Sequence, residues 1–185
     1  MNDDLSSAFI VHRSYFILSI MDPILALGFK EIFLRVTTAV LIGGVVGWNR
    51  KLNEKPAGLR THALVTLGAA LITIASLTLS SNGVVVAAPD ALSRVIQGII
   101  TGIGFLGGGL IIRDTVSIKV YGLTTAATVW CAASLGIICG LGYWRFVLLS
   151  GGMVLLILIG GGPLEKYSVR WWRKWVGGGN SKGEL

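Results

Sequence analysis

The sequence predicts an all-α fold, a polytopic transmembrane helix bundle of about five spans, and three observations predict it. Only 14% of the residues are charged, against roughly a quarter in an ordinary soluble domain, so the chain lacks the surface that water requires. Five charge-poor apolar runs, at residues 32–48, 63–79, 95–112, 121–141 and 146–162, divide most of its length. Each reaches the ~17 residues that a spanning helix needs at the least, and flanking residues bring it toward the usual ~20. Small residues, within a total of 26 glycines, recur at helical spacing inside these runs, as they do where helices in lipid approach closely.

The net charge is +7. The basic residues stand between or after the apolar runs and form no long solvated stripe, so the charge suits a bilayer surface and not nucleic acid. Ahead of the first run, residues 14–29 are apolar but short, interrupted by Asp22-Pro23 and preceded by His12-Arg13. They read as an extension or interfacial segment and not as a sixth span. Met21 is an alternative start of translation, because the five-span pattern needs nothing upstream of it. No small-residue cleavage site closes the apolar stretch, so removal as a signal peptide is not expected. The expected division is residues 1–30 as N-terminal extension, 31–165 as membrane domain and 166–185 as a basic, aromatic tail.

The first run holds Arg35, the one charge inside any of the five. Its position near the start of the run predicts that its stem snorkels to the headgroups. Gly43-x-x-x-Gly47 in the same run is a close-packing pattern. The second run follows Arg60, Thr61 and His62, polar side chains set directly against an apolar segment. His62 reads first as a loop-border residue and only second as a functional group.

The third run begins after Asp90 and Arg94, four residues apart and so on one helical face, with the acid near the positive end of the helix dipole. Gln97 lies one turn further in, and Arg113 and Asp114 are expected to close the same helix at its other end. These charges either anchor the helix at both interfaces or form a functional site. Gly102, Gly104 and Gly107 spell the G-x-G-x-x-G dinucleotide pattern, but they lie within an apolar run, with no strand before them and no acidic residue at the required distance. Close packing is the expected role of Gly98, Gly102, Gly104, Gly107 and Gly108.

The fourth run repeats the packing device with Gly136-x-x-x-Gly140. Thr124, Ala127, Thr128, Cys131 and Ser134 form a small, weakly polar stripe at helical spacing. Internal packing is the plain reading of that stripe, and a docking face for a partner helix is the alternative. Cys131 and Cys139 stand ~12 Å apart along one helix, too far to bridge. After the fifth run, Trp171-Trp172-Arg173-Lys174-Trp175 alternates aromatic and basic side chains, which suits a headgroup-level anchor.

Orientation follows from Lys and Arg in the short loops, which remain cytoplasmic. Eleven basic residues (Arg50, Lys51, Lys55, Arg60, Arg113, Lys119, Lys166, Arg170, Arg173, Lys174 and Lys182) stand on one side and five (Arg13, Lys30, Arg35, Arg94 and Arg145) on the other. The count places the N-terminus outside and the C-terminus in the cytoplasm, which an odd number of spans requires. No nucleophile elbow, metalloprotease helix or phosphate loop is present, so the sequence offers no enzyme constellation. Neither a cofactor site nor a zinc spacing is expected.

Three blocks then carry a family resemblance. They are Pro56-Ala57-Gly58-Leu59-Arg60-Thr61-His62-Ala63-Leu64-Val65 with Gly68-Ala69-Ala70; Arg94 and Gly102-Ile103-Gly104-Phe105-Leu106-Gly107-Gly108-Gly109 with Ile112-Arg113; and Gly122-Leu123-Thr124-Thr125-Ala126-Ala127-Thr128 with Trp130. In this order, over roughly residues 41–143, the chain resembles the MgtC/SapB family of bacterial inner-membrane proteins, in a short form lacking their soluble C-terminal domain. One departure is Gly47-Trp48-Asn49-Arg50, where the family often has an acidic residue before the arginine, so no carboxylate role carries over.

The resemblance implies a protein of magnesium limitation, and in pathogens of survival inside host cells. It further implies modulation of another membrane machine, ATP synthase being the leading partner. A small ion (Mg2+) or solute transporter is the alternative; all nine carboxylates lie at or beyond the expected span ends, whereas a magnesium path needs oxygen ligands. Expected partners are the lipid bilayer and another membrane protein or complex, with a homo-oligomer left open and no nucleic acid. The functional candidates are Arg60, Thr61, His62, Asp90, Arg94, Gln97, Arg113, Asp114, Thr124, Thr125, Thr128 and Cys131.

Overall fold

The computed structural model describes residues 27–78, 89–113 and 120–177. They form α1 (Phe29–Leu52), α2 (Leu59–Thr78), α3 (Pro89–Leu110), β1 (Ile112–Arg113), β2 (Val120–Tyr121), α4 (Leu123–Leu141) and α5 (Trp144–Gly177). Each helix falls on one of the five apolar runs. Four of them are long and apolar enough to cross a membrane, over Leu59–Leu77, Asp90–Leu110, Leu123–Leu141 and Trp144–Trp172. The 24-residue α1 packs beside them. Residues 1–26 and 178–185, which hold most of the expected N-terminal extension and the end of the tail, lie outside the described residues.

The centre of the bundle is α2, held between α1 and α4. Small side chains set the spacing: Ala39, Ala70 and Cys139 are fully buried together, and Ala69 packs with Ala133 and Ile137. The two expected glycine pairs of α1 and α4 both face α2. A Cβ on Gly43 would come within 2.7 Å of the His62 carbonyl oxygen, and one on Gly47 within 2.6 Å of the Gly58 carbonyl oxygen. On α4, a Cβ on Gly136 would meet Ala69 Cβ at 2.8 Å, and one on Gly140 would meet Thr73 Cβ at 2.7 Å. Thr66 and Thr73, buried where the backbones draw close, donate to the His62 and Ala69 carbonyls one turn back, which satisfies their hydroxyls without a partner helix.

The third helix departs from this pattern. Around Gly98, Gly102, Gly104 and Gly108 no described atom stands within 4 Å of where a Cβ would lie, and a Cβ on Gly107 would meet only Ala126, at 3.8 Å. The expected close packing of these glycines is therefore not made among the described residues. Along the apolar stretch of α3 only 6% of the residues are buried, against 56% for α4, because α3 lies at the rim of the bundle and packs on its core chiefly through Ile96, Ile99, Ile100 and Ile103.

The end of α3 also differs from expectation. The helix stops at Leu110, and Ile112 and Arg113 enter a β-ribbon, with Ile112 opposite Tyr121 and Arg113 opposite Val120. Arg113 thus does not close the helix, and Asp114 lies outside the described residues. Three successive glycines, Gly107 to Gly109, are poor helix formers, and the Ile111 amide already bonds back to Gly108 in a tightened last turn. The β-branched and aromatic residues that follow favour a strand. Gly122 then turns the chain into α4 with φ 89°, a conformation that glycine adopts freely. A side chain there would strike the Leu110 carbonyl.

Candidate functional site

Along α1, Ala39, Gly43, Gly47 and Arg50 follow one another at spacings of four, four and three, which places them on one helical face. That face is the one pressed against α2, so Arg50 is carried inward with its small neighbours and retains only 5% exposure. Its Nη2 donates to Thr125 Oγ1 at 2.7 Å, joining the last turn of α1 to the first turn of α4. Thr128, one turn on, donates its hydroxyl to the Thr125 carbonyl at 2.8 Å. Negative ends of helix dipoles favour a cation, and the C-terminus of α1 supplies one.

His62 enters the same region from α2 and is fully buried. Its Nδ1 lies 2.9 Å from the Gly58 carbonyl oxygen; a carbonyl only accepts, so Nδ1 carries the proton. That leaves Nε2 as an acceptor, buried and without a partner among the described residues, and Arg50 Nε is likewise buried without one. No carboxylate pairs with Arg50 among the described residues. A guanidinium and an imidazole with unmet hydrogen-bonding capacity are thus both buried at one end of the bundle. Leaving such groups unmet costs about 1–3 kcal/mol each. His62 does stand beside the loop, in the first turn of α2, but the close approach of α1 at Gly43 and Gly47 covers it.

A second arginine of α1 reaches the opposite end of α4. Arg35 Nε contacts Glu31 Oε1 at 2.8 Å, and its Nη1 donates to the Gly140 carbonyl at 2.8 Å. Gly140 lies in the last turn of α4, where carbonyls have no helical donor. Gly142, with φ 75°, leaves room for the guanidinium, which a Cβ would meet at 2.6 Å. The local carboxylate and an unpaired helix carbonyl thus hold the Arg35 guanidinium at this end of α4.

The remaining candidates separate into two groups. Thr125 and Thr128 join His62 in the buried region, while Arg60, Thr61 and Thr124 are exposed. Cys131 is half-buried, and both it and Cys139 are free thiols. The expected stripe on α4 is consequently divided, with Thr124 and Ala127 outward and Thr128 inward. Asp90, Arg94 and Gln97 are exposed on α3, and no ion pair joins Asp90 to Arg94. Among the described residues no three His, Cys, Asp or Glu side chains gather as the ligands of a metal would.

Arg50 is the site residue that sequence reasoning missed, having counted it only as a topological charge. Its spacing from Gly43 and Gly47 was the available signal. Beside this site, α2 and α3 diverge to leave an apolar cleft of about 590 Å³, lined by Gly68, Gly98 and Gly102 together with Leu64, Val95 and Leu106.

These features define a membrane-embedded helix bundle with two arginine-sealed helix ends. Comparison with known families matches residues 36–167 to the MgtC family, and the chain belongs to that family. It is 40% identical over 146 residues to Protein SrpB of Synechococcus elongatus, covering 76% of this chain and 79% of that protein. It is 40% identical over 122 residues to Protein MgtC of Salmonella typhimurium, covering 66% of this chain and 48% of that protein. With Protein MgtC of Brucella abortus it shares 41% identity over 104 residues, 56% of this chain and 40% of that protein. The chain thus spans about half the length of these two MgtC proteins or less. No solved structure matches it.

Proposed function

We propose that this protein regulates another complex of the bacterial inner membrane through helix–helix contact, as part of ion homeostasis under magnesium limitation. The observation that carries this reading is the cleft between α2 and α3. Its three glycines, Gly68, Gly98 and Gly102, leave backbone open to close approach, and among the described residues no helix fills it. Small residues are what association in lipid requires, since no hydrophobic force drives helices together there. The lining runs from Leu64 to Ile72 on α2 and from Val95 to Leu106 on α3, about two to three helical turns. An apolar transmembrane helix of the partner suits a surface of that length, apolarity and depth.

The family resemblance supports the magnesium link and favours ATP synthase among the partners. The test is affinity purification from native membranes grown at low and at high magnesium, using the wild-type protein and Gly98→Leu. A membrane complex recovered at low magnesium with the wild type and lost with Gly98→Leu, at equal protein levels, supports the reading. A cleft occupied only by lipid would recover no such complex. Saturable magnesium flux through the purified protein alone in liposomes would replace regulation with transport.

A further inference from the structure

We propose that α3 is the seam of a homodimer, in which two copies of this chain pack in parallel along a polar stripe that the described residues of the protomer leave uncovered. At about 100° per residue, Asp90, Arg94, Gln97, Thr101, Gly104 and Gly108 fall within one strip of α3 about 80° wide. All six are exposed. The helix is the most amphipathic of the five, yet its polar side turns away from the bundle, while its isoleucines face Ala69, Ala133 and Ile137. Thr101 stands about 16 Å along the helix from Asp90, at the depth of the bilayer core. There a polar face in contact with lipid is costly and calls for a protein neighbour.

The order of charges along the stripe selects a second copy as that neighbour. Two protomers with the same orientation in a membrane are related by a twofold axis along its normal, so α3 meets its own copy in parallel and every contact occurs twice. Asp90 and Arg94 carry opposite charges one turn apart and form no ion pair within the protomer. Across the axis, Asp90 of each copy faces Arg94 of the other, offset by about 6 Å in depth, which the arginine stem spans. Gln97, whose amide otherwise makes only a 3.3 Å bond to Ser93 on its own exposed surface, meets its counterpart, and side-chain amides pair reciprocally. Deeper still, Gly104 and Gly108 have open space where a Cβ would lie, and they provide the close approach on which the upper contacts depend. This stripe lies on a different side of α3 from the cleft lined by Gly98 and Gly102, so the dimer stands or falls independently of the partner helix.

The experiment is energy transfer between donor- and acceptor-tagged copies of the full chain, reconstituted in phosphatidylcholine–phosphatidylglycerol vesicles over a range of lipid-to-protein ratios. The wild type is expected to give saturable transfer that untagged protein competes away. Gly104→Leu, Asp90→Arg and Arg94→Asp are each expected to weaken self-association at least tenfold. Mixing Asp90→Arg with Arg94→Asp is then expected to restore transfer between the two variants, because the mixed pair recovers both salt bridges; damaged folding would not produce that recovery. A wild type that remains monomeric at every density overturns the proposal. So does undiminished self-association of Gly104→Leu, or a mixture of the two charge variants that does not pair.

Discussion

Arg35 and Arg50 stand fifteen residues apart on α1, and their acceptors on α4, Gly140 and Thr125, stand fifteen residues apart in the reverse order. Both separations are about 22 Å, so the two antiparallel helices are pinned to one another at both ends. A slide of one turn, about 5.4 Å, would break both contacts at once. The paired arginines hold α1 and α4 to that one register.

Removing the acceptor at the first pin tests this arrangement. Thr125→Val conserves shape but leaves Arg50 Nη2 without its 2.7 Å bond. Hydrogen bonds to charged groups contribute about 1.5–3 kcal/mol, and a loss of that size is expected in unfolding experiments on the protein in detergent micelles. Thr125→Ser, which keeps the hydroxyl, is expected to lose less than half as much.

At the second pin the ordering of two variants is diagnostic. Arg35→Met removes the bond to the Gly140 carbonyl as well as the ion pair, whereas Glu31→Gln removes only a partly exposed charge. Such surface pairs are worth at most about 1 kcal/mol. Thermal unfolding should therefore show Arg35→Met clearly more damaged than Glu31→Gln; equal losses would mean that the Gly140 contact contributes nothing.

Glycines on different helices are expected to respond in opposite ways. Gly43→Val and Gly136→Val place side chains into the backbone and threonines of α2, and overpacking of this kind costs about 1–3 kcal/mol or more. They should reduce the yield of monodisperse protein in size-exclusion chromatography. Gly98→Ala and Gly108→Ala meet open space, and alanine is the better helix former by about 1 kcal/mol, so these proteins should be recovered at wild-type yield.

Orientation is open to reporter fusions. A reporter after Leu185 and one near Asn53 are expected in the cytoplasm, and one near Gly83 outside, because eleven of the sixteen Lys and Arg residues lie on the first side. An external C-terminal reporter would reverse the assignment.

The linear sequence was sufficient for the class of fold, the positions of five helices and the glycine pairs of α1 and α4. Each of these follows from hydrophobicity and spacing along a single helix, which are local properties. It was sufficient in principle for Arg50 as well, since three positions after Gly47 is the same face as Gly43. What it left open was whether that face met protein or lipid, and only tertiary packing decided it. Both α1 and α3 carry small residues at helical spacing, yet α1 is pressed against α2 while α3 sits at the rim with its glycines uncovered. The same contrast separates the charges: Arg35 and Arg50 are drawn inward by acceptors more than seventy residues away in sequence, and Asp90 and Arg94 remain outside. Periodicity specifies which side chains share a face, but the neighbour that covers the face comes from distant parts of the chain, and that long-range choice is a property of the folded bundle alone.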